Sequence, residues 1–491
     1  MDRNRLKFKE APDQELVSHI KKTSPWLALI IVLTAPLLSV IDTFIVNVAI
    51  PSIKNGIHAT DAQVQLVIAG YLLGYASFLI TGGRAGDHFG RKKVFFWGMF
   101  AFTLFSCACG LSQTPFQLNA TRFFQGVSAS FMVPQSIAFI QVLFPLAKER
   151  ARAIGYFGIT LGLASIIGQV LGGYFSGMHT FVEGWRLIFF INLPIGLLAL
   201  WATHRYLPET EKHGHHVFDY SGIVILTAGL FCLIIPLIQG REAGWPLWSF
   251  VLLALSVIIF MYLIFDQKKK RKNQANPLVD VELFHNKEFN IGLFAVLFQF
   301  MMHTSYLLTS AVFLQNGLGV SALKSGLYFV LPGLLFTLSS IAASKLVPQY
   351  GKVILQTGVV IIIGSFALQL FLFKAGVSSL TLFLLMGVYG LGNGLVLPSL
   401  LNIALKSVPQ KFAGAAAGVY STFQQTASAL GVSIIGGVFF YVVKTDHHPL
   451  NYIKAFDYST TADIVCLILV AAMLSLLPAV KNENETPLFL D

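Results

Sequence analysis

Apolar runs of about 20 residues recur along this chain from residue 26 to residue 480, and short polar stretches separate them. Each run is long enough to cross a hydrocarbon core of about 30 Å as a helix. Fourteen are read, at 26–50, 64–83, 94–111, 119–143, 153–176, 186–205, 218–239, 246–266, 289–314, 323–345, 352–373, 379–403, 414–442 and 460–480. None shows the apolar-polar alternation of a barrel strand, and within lipid only helices and closed barrels satisfy their own backbone groups. The pattern predicts an all-α integral membrane protein.

Charge changes the picture by giving the spans a direction. Of the 34 lysines and arginines, loops alternated from an inside N-terminus place 26 inside and 7 outside, with Arg122 alone within a span. This positive-inside bias accounts for the net charge of +11 without nucleic acid. It predicts a multi-pass protein of the cell (inner) membrane with N- and C-termini cytoplasmic. The first 25 residues are polar and basic, and the run that follows is too long for a signal-peptide core, so the first span is expected to stay in the mature protein. All six tryptophans fall near span ends, as an interfacial belt would.

Organisation follows from a repeat. A shift of 264 residues superposes Gly126 on Gly390, Pro134 on Pro398, Pro145 on Pro409, Tyr156 on Tyr420 and Gly172-Gly173 on Gly436-Gly437. A shift of 261 sets "FGRK" at 89–92 on "YGKV" at 350–353. Both shifts carry a span onto one of the same direction, so the repeat is parallel, with its axis along the membrane normal. The chain divides into a tail (1–25), a six-helix bundle (26–205), two inserted helices (218–266), a linker (267–288), a second six-helix bundle (289–480) and a tail (481–491). Two bundles facing one another suit alternating access.

Candidate chemistry is sparse. Ionisable groups cost about 2.5–3.5 kcal/mol at a helix centre on insertion scales. Asp42 is read as the only acid well inside a span and Arg122 as the only base. If they pair, directly or through a polar neighbour, Asp42 and Arg122 form a proton-coupling site. Asn47, Gln125, Gln299, His303, Asn393 and Gln424 are candidate substrate-cavity contacts, although polar groups at such depth also tie helices together. On the fifth span Gly162, Gly168, Gly172 and Gly173 permit close helix approach or a hinge.

Other chemistry is not expected. Cys107, Cys109, Cys232 and Cys466 all fall within spans, where they read as small hydrophobes, so neither a disulfide nor a metal site is expected. "HGHH" at 213–216 reads as solvated loop. The absence of "GxxxxGK[ST]" argues against ATP-driven transport, and no "HExxH" zinc motif occurs.

These residues carry a resemblance. "GGRAGDHFGRKKV" at 82–94 is similar to the cytoplasmic signature of the major facilitator superfamily, through Gly83, Asp87, Gly90, Arg91 and Lys92. "IDTFIVNVAIP", with Asp42, Asn47 and Pro51, and "RFFQG", with Arg122, resemble motifs of its fourteen-span drug:proton antiporter family. "WRLIFFINLPIG" and "NPLVDVELFHNKEF" resemble further family segments. The resemblance implies the major facilitator fold and a transporter, not an enzyme. It would export small amphipathic or hydrophobic compounds, driven by the proton gradient without a cofactor. Its partners would be substrate, protons and lipid, with no nucleic acid and no obligate protein partner.

The resemblance also implies that Asp87 and its basic neighbours lock the inner faces together in the outward-facing state. Two positions depart from the pattern: Gln169 stands where the fifth-span antiporter motif carries proline, and His88 where the signature commonly has arginine. Two alternatives stay open, a proton-coupled symporter or facilitator importing a metabolite, and a non-transporting membrane receptor or scaffold.

Overall fold

The computed structural model describes residues 24–178, 182–209, 218–275, 277–409, 412–443 and 448–477. The HGHH stretch, the C-terminal tail and all but the end of the N-terminal tail lie outside them. Fourteen helices among the described residues are long and apolar enough to span a membrane. They are α1 (Pro25–Gly56), α2 (Asp61–Phe89), α3 (Arg91–Leu111), α4 (Pro115–Leu143), α5 (Lys148–Ser176), α6 (Gly184–Tyr206) and α7 (Tyr220–Gly240). The rest are α8 (Leu247–Lys272), α9 (Lys287–Gly317), α10 (Ala322–Tyr350), α11 (Lys352–Leu372), α12 (Ser379–Lys406), α13 (Gly414–Val443) and α14 (Pro449–Leu476).

Polar residues at the interfaces start these helices by satisfying backbone donors that lipid cannot. Thr60 opens α2 in a reciprocal capping box with Gln63, Thr114 caps α4 ahead of Pro115, and Asn286 caps α9. Several helices outrun the apolar stretch that announces them. The largest difference is α14, which begins at Pro449 rather than near residue 460. Trp185 also leaves the expected belt: it is buried, and its indole N–H donates to Glu183.

The repeat is visible in the packing. In the first half α2 packs on α4, α1 on α5 and α3 on α4; in the second α10 packs on α12, α9 on α13 and α11 on α12. The repeat glycines explain one such pair. A Cβ on Gly126 would stand 2.0 Å from the Tyr71 carbonyl oxygen, and one on Gly390 would stand 2.2 Å from that of Pro332. Tyr71 and Pro332 are themselves 261 positions apart. The turns after α2 and α10 match too, with Gly90 at φ +97° and Gly351 at φ +56°, conformations that side chains disfavour.

Call the end at which α1 begins the lower end and the end at which it finishes the upper. At the upper end the halves meet closely: Gln315 of α9 donates to the Val48 carbonyl of α1 at 2.8 Å. A Cβ on Gly173 of α5 would lie 2.3 Å from the Ala322 carbonyl oxygen of α10. Further down this seam Gly162 faces the Thr337 side chain, and below that pair Gly158 and Gly155 face nothing within 4 Å. The α5–α10 seam is therefore shut at the upper end and splayed at the lower. The inserted α7–α8 hairpin lies across α2 and α13. Its upper turn holds both halves, since Arg241 donates to the Gly437 carbonyl of α13 at 2.9 Å and Glu242 accepts from the Ala62 N–H of α2 at 2.9 Å.

Candidate functional site

Asp42 sits on α1 facing α4 and α6, with 0% of its surface exposed. Arg122 of α4 is 1% exposed and donates from Nη1 to Asp42 Oδ2 at 2.5 Å. The same Nη1 reaches Gln125 Oε1 at 2.8 Å, while the Gln125 amide donates to Asp42 Oδ1 at 2.8 Å. Gln125 lies three residues after Arg122 and so shares its helix face, which lets one glutamine bridge both members of the ion pair. Asn192 of α6 supplies a third donor to Asp42, at 3.1 Å, and also donates to Ser106 of α3 at 2.9 Å. Asn192 begins the second segment of α6, just after the helix is interrupted at Ile191.

The guanidinium is held as closely as the carboxylate. Arg122 Nε donates to the Val67 carbonyl at 3.0 Å, and the guanidinium carbon lies 4.5 Å over the Tyr71 ring. Tyr71 in turn shares a 2.7 Å hydrogen bond with Ser39, one turn before Asp42. The cluster thus joins α1, α2, α3, α4 and α6. Removing one member of such a buried pair costs about 3–5 kcal/mol, because the other is left charged and alone. The pairing of Asp42 with Arg122 was legible in the sequence; Asn192, Tyr71, Ser39 and Ser106 were not among the residues singled out.

The other candidates fall in three places. Gln299 donates to Asn393 Oδ1 at 2.9 Å, and His303 Nδ1 lies 2.8 Å from the Tyr389 hydroxyl, so these groups tie α9 to α12. His303 also meets the ring of Phe44, which places it where the halves face each other. Asn47 is buried and its amide donates to the Thr43 carbonyl at 3.2 Å, whereas Gln424 is only half-buried on α13. Gln125 belongs to the ion-pair cluster.

Among the signature residues, Arg91 donates to Asp87 at 3.1 Å and to the Ala138 carbonyl at 3.0 Å, and Lys92 donates to the His204 carbonyl at 3.3 Å. These bonds stay within the first half, and Asp87 keeps 40% of its side chain exposed at the splayed end. Gly83, nearby on α2, approaches only Pro134. The α5 glycines serve two contacts: Gly168 and Gly172 lie against the α1 carbonyls of Ile41 and Ile45, while Gly162 and Gly173 face the second half. Gln169, in the proline's place, is buried with neither amide atom hydrogen-bonded, and its backbone carbonyl packs against Gly326 of α10.

One reading of the sequence is corrected. Asp42 is not the only acid deep within a span: Asp463 is 0% exposed and lies mid-helix in α14. With α14 expected to start near residue 460, Asp463 stood at its edge; the true start at Pro449 puts it 14 residues inside.

A second buried carboxyl cluster stands at the lower end, outside the spans. Asp219 receives Lys270 at 2.6 Å, Gln267 at 2.8 Å and the backbone N–H groups of Gly222 at 2.7 Å and Leu278 at 3.0 Å. Burial pushes its pKa up, but hydrogen bonds from Lys270, Gln267, Gly222 and Leu278 outweigh that and bring it down to about 2. Asp219 thereby fastens the start of α7, the end of α8 and the linker to one another.

Comparison with known proteins agrees with this architecture. The sequence profile of the Major Facilitator Superfamily matches residues 32–218 and 219–432. The chain is 33% identical over 424 residues to the probable actinorhodin transporter of Streptomyces coelicolor, covering 84% of this chain and 72% of that one. It is 30% identical over 411 residues to the multidrug resistance protein Stp of Mycobacterium tuberculosis, covering 81% and 73%. The crystal structure of a D-xylose-proton symporter superposes with a TM-score of 0.65 at 13% identity, covering 91% of this chain and 97% of that one, and so shares the fold. With two matched halves, fourteen spans and this packing, the chain belongs to the Major Facilitator Superfamily.

Proposed function

We propose that this protein exports small amphipathic or hydrophobic compounds in exchange for protons, by alternating access, with its lower end in the cytoplasm. The observation that carries the reading is the buried Asp42, which receives donors from two other helices, α4 and α6. Protonating Asp42 removes one charge of the ion pair and weakens the bonds that hold α1 to α4 and α6. The Arg122 guanidinium, still bonded to Val67 and Gln125, is then uncompensated, and the conformation that admits water to it gains population. Because α5 lies against α1 at Gly168 and Gly172, movement of α1 reaches the seam with the second half directly.

The direction of transport rests on the resistance protein among these relatives, and the inside face on the Lys/Arg bias. In this conformation the splayed lower end faces the cytoplasm, and the signature residues bond within their own half. In the opposite state Asp87, Arg91 and Lys92 would engage the second half and hold the lower end shut. No cofactor is invoked, only protons and substrate.

Inside-out membrane vesicles test the reading, with actinorhodin and a lipophilic cationic dye as probes. An acid interior should drive probe uptake, a protonophore should abolish it, and Asp42→Asn should lose most of it. Uptake indifferent to the gradient, or driven only by an alkaline interior, would overturn the proposal.

A further inference from the structure

Asp463 has surroundings unlike those of Asp42. The helices packed against α14 are α9, α11 and α13. From α9 it meets Ser305, and the phenol of Tyr306 lies close by with its hydroxyl bonded to Gln369 of α11 at 3.0 Å. His303 of α9 is engaged with Tyr389 of α12. The titratable residues of α13 are Tyr420 and Tyr441, and α11 adds only Lys352, whose ammonium bonds backbone carbonyls at the end of α14. On α14 itself Asp457 pairs with Lys374 at 2.6 Å, and Cys466 lies one turn beyond Asp463. Among the described residues no lysine, arginine or histidine forms an ion pair with Asp463, and its Oδ2 takes part in no hydrogen bond.

Counting hydrogens decides its charge. The Ser305 oxygen lies 2.7 Å from Asp463 Oδ1, 2.7 Å from the Met301 carbonyl oxygen and 2.9 Å from that of Met302. A hydroxyl has one hydrogen, and in a membrane helix it is commonly shared with the carbonyl three or four residues back. If Ser305 donates there, the short contact with Oδ1 needs a hydrogen from the carboxyl itself. A bare carboxylate with one neutral donor at this depth would be severely under-solvated, whereas the acid donating to Ser305 completes the chain.

We infer that Asp463 and Ser305 form a second proton site, in the second bundle, loaded in this conformation, emptied toward the open lower end as substrate enters, and reloaded when the seam opens at the upper end. The exchange clause rests on the transport reading above; the loaded state does not. Emptying returns the proton to water and leaves a carboxylate beside Ser305 and Thr460, whose buried hydroxyl has no partner here. Asp42 and Asp463 would then carry separate protons, and one cycle would move two.

Infrared spectroscopy of the full-length protein in lipid tests the loaded state. At neutral pH the wild type should show a protonated-carboxyl C=O band that shifts in deuterated water, vanishes in Asp463→Asn and persists in Asp42→Asn. In Ser305→Ala the band should remain but move, having lost its partner, and this carries the test should Asp463→Asn fail to fold. Raising the pH or adding actinorhodin to the wild type should diminish the band. Its absence at neutral pH, its survival in Asp463→Asn, or its indifference to both pH and probe would overturn the inference.

Transport gives an independent reading. With the membrane potential clamped at zero, each exchanged proton contributes about tenfold accumulation per pH unit. Asp463→Asn should therefore accumulate about tenfold less probe per unit than wild type. An unchanged ratio would rule out a second carried proton, while loss of all gradient dependence in the wild type would count against the transport reading instead.

Discussion

The two bundles descend from one repeat yet treat their buried polar positions differently. The 261-residue shift that relates Gly90 to Gly351 carries Asp42 onto His303, and the 264-residue shift carries Gln125 onto Tyr389. Asp42 accepts from Gln125, and His303 is hydrogen-bonded to Tyr389, so the contact between the first and fourth helices of each half has been kept. Its chemistry has not. In the first half it belongs to an ion-pair cluster spread over five helices; in the second the position of Arg122 is taken by Met386, and the contact is a histidine–tyrosine hydrogen bond. The second half carries its acid elsewhere, on α14, without a cation. The same scaffold thus supports an acid whose charge is held by partners and an acid that does without one.

The sharpest way to break this comparison is to remove the first-half charges. Asp42→Asn should cut gradient-driven accumulation by about tenfold or more per pH unit. Arg122→Ala should do so too and cost about 3–5 kcal/mol in detergent unfolding, because Asp42 is left buried without its counter-charge. The double variant Asp42→Asn/Arg122→Met should regain most of that stability and none of the coupling lost with Asp42. If the double variant is as unstable as Arg122→Ala, the pair's charges are not what holds α1 to α4.

Next in size is the seam. Gly173→Val puts a side chain into the Ala322 carbonyl, so the upper end cannot close as it does here. Overpacking of this kind costs about 1–3 kcal/mol, and it should slow transport while Gly364→Ala, in open space on α11, leaves it unchanged. Dye efflux rates compared at equal expression check this.

Asn192→Ala removes one of the three donors to Asp42 and should cost about 1 kcal/mol. It should move the pH profile of transport without abolishing it, whereas Gln299→Leu/Asn393→Leu, an apolar replacement of a paired contact in the second half, should leave the profile in place. Smallest is the linker fastening. With its pKa near 2 against the usual 3.8, Asp219 contributes stability that is fully present above about pH 4 and lost as pH falls through about 2. Asp219→Asn should speed protease cleavage of the linker severalfold near neutral pH, and the difference from wild type should disappear only in strong acid.

Much of this fold was legible because lipid allows so few solutions: long apolar runs between charged turns can only be helices, and the matched Gly126 and Gly390 mark helix crossings where no Cβ fits. Asp42 and Arg122 stood out because ionisable groups at that depth are rare. Asp463 did not, since hydropathy locates the lipid-facing part of a helix and α14 runs eleven residues further at its start. Asn192 was hidden inside "FFINLPIG", two residues before Pro194, where the break in α6 turns its amide toward Asp42. Gln125 read as a cavity contact because spacing on one helix cannot show which other helix an amide will meet.

Proton movement in proteoliposomes tests the central claim most directly. With a pH-sensitive dye inside and actinorhodin added outside, wild-type protein should change the internal pH as probe crosses. Asp42→Asn should still exchange labelled for unlabelled probe yet move fewer protons per probe than wild type. Undiminished proton movement in that variant would contradict the assignment of coupling to the Asp42–Arg122 cluster.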